Sequence, residues 1–285
     1  NRTNKMATEA KNNDSRAKLV CVLGAAGGVG TSTVAANLAV SLQRLHGTQS
    51  VIAADTTLTG GDLSLMFGLA LGAGFRPLPT DPQQVDEALL MNSQAKHRSG
   101  VHLLRLGHNS PLRPIAESAV LARTLELMTR WHDWIVLDCG CMTESVTQTV
   151  IPRASTVLIV GTLALPPAQR MKQWVELLIS TGVPIGKMVA VMNRCREDEA
   201  EYQRQLKPLL PCRVGACLPE SPELAREALI NGVPLVGGDM RAALACCYGE
   251  LAVSLGGQSV GDSDQKPHGW FQRLQIRFTG DRHAA

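Results

Sequence analysis

The chain has 285 residues, 45% of them hydrophobic, which is enough apolar side chain to close a large core and excludes a mainly disordered polypeptide. Its formal net charge of +3 is too small to predict a nucleic-acid partner, and no run approaches the roughly 18 apolar residues of a membrane span. The eight cysteines show no paired CxxC spacing and sit largely in apolar patterns, so they read as reduced thiols of a cytoplasmic protein.

Residues 1–16 are polar and are predicted to be a disordered or extraneous leader; a single domain is expected over residues 17–256. Within it, apolar runs of strand length recur at 18–23, 50–54, 101–106, 134–137, 156–161, 188–192 and 213–217. Helical spacing separates most of them, at 33–45, 115–130, 167–180, 197–209, 221–230 and 239–255. That alternation predicts an α/β fold, a doubly wound and mainly parallel sheet with helices on both faces. The Gly/Pro-rich stretch 68–84 is too interrupted for regular structure, and a helix is seeded from Pro82 to Leu90. Residues 257–285 form a polar linker and a basic amphipathic tail.

The first strand runs into Gly24-Ala-Ala-Gly-Gly-Val-Gly-Thr-Ser-Thr33 and then a helix, the context in which a glycine loop cradles phosphate. Gly27, Gly28 and Gly30 can adopt the angles that aim successive N–H groups at one point, and the helix start adds its positive end there. Gly27, Gly28, Val29, Gly30, Thr31, Ser32 and Thr33 are therefore the expected cradle, with Ser32 or Thr33 beside a Mg²⁺ ion. The lysine that would reach the terminal phosphates at position 31 is replaced by Thr.

Two other strands end in carboxylates. Trp134-Ile-Val-Leu-Asp138 has the form of a strand whose Asp orders Mg²⁺ through water, and Val51-Ile-Ala-Ala-Asp55 is its counterpart upstream. Asp55 and Asp138 are the candidate catalytic groups, and Ser32 with Asp138 the candidate metal site.

The loop resembles the deviant Walker A box of the MinD/ParA family, KGGxGK(S/T)(T/S). Aligned on the glycines, that family's two lysines fall on Ala26 and Thr31. The resemblance continues through the strand ending Asn193-Arg194, a pair that in this family reads adenine, and through Cys217-Leu-Pro219-Glu220-Ser221, similar to the loop closing over the base. It ends with Ala225-Arg-Glu-Ala-Leu-Ile-Asn-Gly-Val-Pro-Leu235. Within the family, Gly61-Asp-Leu-Ser-Leu-Met-Phe-Gly-Leu69 after Asp55 looks most like the CpaE/TadZ branch of tight-adherence (Flp) pilus systems. Members of that branch often carry a receiver-like domain ahead of the loop. The second aspartate of the family's DxD falls on Thr57, and Cys139-Gly-Cys-Met-Thr143 departs from its usual second switch.

The resemblance implies ATP or ADP as ligand, with Mg²⁺, bound by the cradle residues together with Asn193, Arg194, Pro219 and Glu220. It also implies a homodimer across the nucleotide face and partners in a pilus or secretion machine. Without either lysine, hydrolysis is expected to be weak or absent. The alternatives are an active ParA-type ATPase moving DNA or protein cargo, and a nucleotide-free scaffold. Residues 269–278 place Trp270, Phe271, Leu274 and Phe278 on one helical stripe with Arg273 and Arg277 beside it. That pattern suits either a peripheral helix on the inner face of the cytoplasmic membrane or a tail docked on protein.

Overall fold

The computed structural model describes residues 17–56, 62–69, 78–106, 118–199, 209–237 and 243–256, with Glu201, Arg204 and Leu206 besides. The leader 1–16, residues 70–77 of the Gly/Pro-rich stretch and the tail 257–285 lie outside the described residues.

Eight strands form one sheet: β1 (Lys18–Gly24), β2 (Val51–Asp55), β3 (Ala95–Lys96), β4 (His102–Arg105), β5 (Trp134–Asp138), β6 (Thr156–Gly161), β7 (Met188–Cys195) and β8 (Arg213–Pro219). Their order is β3-β4-β2-β5-β1-β6-β7-β8. All pairs are parallel except β3 with β4. The seven parallel strands are those the apolar runs predict, because a strand covered on both faces reads as an unbroken hydrophobic run. β3 went unpredicted, since two residues, Ala95 and Lys96, carry no periodicity.

The helices are α1 (Thr31–His46), α2 (Leu63–Met66), α3 (Glu87–Ser93), α4 (Ser118–Trp131), α5 (Leu165–Ser180), α6 (Pro222–Asn231) and α7 (Ala243–Gly256). Side-chain alternation along the strands divides the core into two layers. Val20, Val22, Ala53, Leu103 and Val136 pack with α1, α2 and α7, while Cys21, Leu23, Ile52, Leu104 and Leu137 pack with α4 and α5. This is the doubly wound arrangement.

Three local readings are corrected. The helix predicted from Pro82 to Leu90 is split: a short 3₁₀ turn at Pro82–Gln84 gives way to extended backbone at Val85 and Asp86. The Asp86 carboxylate then caps α3 by accepting from Leu89 N at 2.7 Å. The predicted helix over 197–209 opens instead with a 3₁₀ turn at Glu197–Glu199; Glu201, Arg204 and Leu206 beyond it are helical as predicted, and the residues between them lie outside the described residues. Strand β7 runs on to Cys195, past the predicted end at 192.

Candidate nucleotide site

β1 delivers the chain to the C-terminal edge of the sheet at Gly24, whose N–H donates to Gly140 O at 2.7 Å. No larger residue fits at Gly24, because a Cβ there would collide with Thr31 Oγ1. Gly28 and Gly30 have φ of +75° and +93°, the left-handed angles that glycine takes without strain. Gly30 then caps α1 with no side-chain partner, so the first N–H groups of the helix are left for an anion. Gly27 and Gly28 are exposed, and open space surrounds the position a Cβ would take at each. The backbone of a phosphate cradle is therefore present.

Its side chains are not those of an active nucleotidase. Thr31 is buried, its hydroxyl seated against Gly24, so the residue at the lysine position faces the end of β1 rather than the mouth of the loop. Ser32 and Thr33 are half-buried at the start of α1.

Asp138 ends β5 and is fully buried. Gly140 N donates to its Oδ1 at 3.1 Å, while Oδ2 has no hydrogen-bond partner among the described residues. Asp55 ends β2 in register with Asp138, also buried. Burial first, and then the facing Asp55 charge, push the Asp138 carboxyl up to about 7; the Ser32 side chain and the Gly140 N–H pull the other way. A buried carboxylate oxygen without a donor, a second carboxylate beside it and a serine hydroxyl suit a hard divalent cation. Ser32 and Asp138 would hold Mg²⁺ here, and the ion would neutralise the carboxylate pair and draw phosphate oxygens toward it.

Asn193 is brought to the loop. Its amide nitrogen donates to Val29 O at 2.8 Å, and a Cβ on Gly30 would strike the same amide. The sequence reading assigned Asn193 to adenine and missed this tether. Arg194 follows at φ +56°, where the β7–β8 register shifts, so the bulge turns its side chain outward while Asn193 stays inside. Glu220 N donates to Cys195 O at 3.0 Å, which holds Pro219 and Glu220 alongside that bulge. The structure thus brings together the loop, Asp55, Asp138 and Asn193 at one sheet edge. Arg194, Pro219 and Glu220 form a neighbouring shoulder.

One residue at that edge escaped notice in the sequence. Arg105 ends β4 in register with Asp55 and is only 6% exposed. The signal was there, an arginine between Leu104 and Leu106 in an otherwise apolar strand.

Fold and site together define a P-loop protein of MinD/ParA type. The solved MinC:MinD cell division complex of Aquifex aeolicus superposes with a TM-score of 0.72 at 19% identity, covering 86% of this chain and 98% of that one. MinD of Pyrococcus horikoshii, solved with Mg-ADP, gives 0.68 at 19% identity, with 84% and 96% covered. In sequence, the iron-sulfur cluster carrier protein of Pseudomonas fragi is 28% identical over 261 residues, 84% of this chain and 85% of that protein. The profile of the family described as "Cellulose biosynthesis protein BcsQ" matches residues 17–174, more than half of the sequence, and the chain belongs to that family.

Proposed function

We propose that this protein is a nucleotide-binding positioning factor that pairs with a second copy and marks the assembly site of an envelope machine, with hydrolysis reduced to a minor activity. The observation that carries the reading is an intact amide cradle at the start of α1 in which neither lysine position holds a lysine: Ala26 is partly exposed and Thr31 is turned against Gly24. The loop amides bind the phosphates, Ser32 and Asp138 hold Mg²⁺, and Asn193, Arg194, Pro219 and Glu220 surround the base. Nothing in the loop neutralises the charge that builds on the terminal phosphate during transfer, so occupancy rather than turnover carries the signal.

The family description points to cellulose biosynthesis as the machine served. The GDLSLMFGL segment after Asp55, similar to the CpaE/TadZ branch, supports a tight-adherence pilus apparatus as the second reading.

Calorimetric titration of the full chain with ATP and Mg²⁺, paired with a phosphate-release assay, tests the reading. Saturable binding with phosphate release far below that of a lysine-bearing relative is the expected result. No binding at millimolar nucleotide leaves the scaffold alternative, and rapid release abolished by Asp138→Ala leaves the active-ATPase alternative.

A further inference from the structure

A guanidinium stays charged inside proteins and is rarely buried without partners, so the position of Arg105 needs a reason. The side chain is engaged by contacts of its own. It ends β4 in register with Asp55, which is in register with Asp138 on the next strand. Register partners in parallel strands project to the same face of a sheet, with strands about 4.8 Å apart. Two residues earlier in the three strands stand Leu103, Ala53 and Val136, and all three pack in the α1 layer. Arg105, Asp55 and Asp138 therefore form a row on the side of the sheet where the glycine loop and Ser32 stand. Among the described residues of the loops following β1, β2, β4 and β5 there is no lysine and no arginine.

We propose that Arg105 is the cation that reads the terminal phosphate of the nucleotide, a recognition contact from the sheet edge that does not replace the lysine the loop lacks for transfer. This rests on the nucleotide reading above. The loop amides would take the phosphates nearest α1, and Ser32 and Asp138 would hold the metal, so the terminal phosphate of a triphosphate would be the one nearest the Asp55–Arg105 end of the row. A guanidinium is suited to the place because its planar fork grips a phosphate with two parallel N–H···O bonds while other donors stay on a carboxylate. A diphosphate stops short of it. Arg105 thus sets the preference for triphosphate over diphosphate.

The test measures Mg-ATP and Mg-ADP affinities by calorimetry for the full chain and for Arg105→Met and Arg105→Lys, with thermal unfolding to establish that each variant is folded. In Arg105→Met, ATP affinity is expected to fall about tenfold and ADP affinity to change less than about twofold, as loss of a charge-assisted phosphate contact requires. Arg105→Lys keeps the charge and loses the fork, so its ATP:ADP ratio should lie between the two, and it carries the test if the Met variant does not fold. Equal weakening for both nucleotides, or an unchanged ratio in the folded variants, overturns the assignment while leaving the nucleotide reading standing. A parent chain that binds neither nucleotide removes the reading itself, and the role of Arg105 with it.

Discussion

The side-chain amide of Asn193, at the end of β7, donates to the backbone carbonyl of Val29 in the glycine loop, 2.8 Å away and 164 positions distant in sequence. The contact is buried and fixes the far wall of the cradle to the neighbouring half of the sheet. A loop of small residues has few side chains with which to hold its own shape. Here the shape is held from outside.

Asn193→Ala removes that donor and strands the Val29 carbonyl in a buried setting, which costs on the order of 1–3 kcal/mol. Urea unfolding should show a lower midpoint with an unchanged slope. Nucleotide affinity should fall as well, since the loop loses its anchor. A variant equal to the parent in both measurements would show that the tether is dispensable.

The glycines separate backbone demand from ligand demand. Gly30→Ala places a Cβ at φ +93° and against the Asn193 amide, so it should destabilise the fold by about 1–3 kcal/mol and lose nucleotide together. Gly27→Ala meets open space. Its unfolding midpoint should match the parent's while nucleotide affinity drops, because the added methyl stands where phosphate would approach. Differential scanning calorimetry and nucleotide titration of both variants decide the matter.

Asp138 predicts a pH dependence of definite sign. Its folded value is raised to about 7, against about 3.9 in an unfolded chain. Between those values the unfolded state gives up a proton that the folded state keeps, so this group removes stability as pH rises through that window and adds no further change above it. Asp138→Asn abolishes the term. Relative to the parent, its unfolding temperature should be raised near neutral pH, with the gap closing toward about pH 4. Millimolar Mg²⁺ should stabilise the parent and not the variant. A gap that stays constant across the pH range would overturn the argument.

What the sequence shows and what it hides follow from how each feature is encoded. Seven parallel strands and the helices α1, α4, α5 and α7 are written in apolar periodicity, because each must bury a face over many residues. The cradle is legible because φ values such as that of Gly30 leave glycine as the natural choice. Other features depend on where distant segments meet. Nothing local to Asn193 says that its amide turns toward Val29, and nothing local to Thr31 says that its hydroxyl lies under Gly24. Arg105 is the same case: its meaning comes from register with Asp55 across 50 positions, which strand order sets and composition does not. The break at Asp86 was missed because a capping carboxylate outcompeted helix continuation there.

The tail carries its own test. On the membrane reading of residues 269–278, the apolar stripe and two arginines would lie on a lipid surface; about ten residues are too few to anchor firmly alone, so two copies in a dimer would bind anionic vesicles more tightly than one. Co-sedimentation with anionic liposomes should be strong for the full chain and lost on deleting residues 266–285. Association that survives the deletion, or that is absent from the full chain, assigns the tail to protein contact instead. Among the described residues no helix is long and apolar enough to cross a membrane.

Gly68, just past α2, and Gly232, which caps α6, meet backbone to backbone: a Cβ on Gly68 would stand 3.0 Å from Gly232 O, and one on Gly232 would strike Gly68 Cα. Most contacts between surface helices are cushioned by side chains that can change rotamer and absorb a shift. This one has no such layer, so neither glycine can take a side chain without moving the other helix end. α2 lies downstream of the Asp55 strand, while α6 holds no buried residue and shows Leu229 and Ile230, the latter 76% exposed, to solvent. An alanine at either glycine would therefore force the ends of α2 and α6 apart, since backbone cannot turn aside as a side chain can.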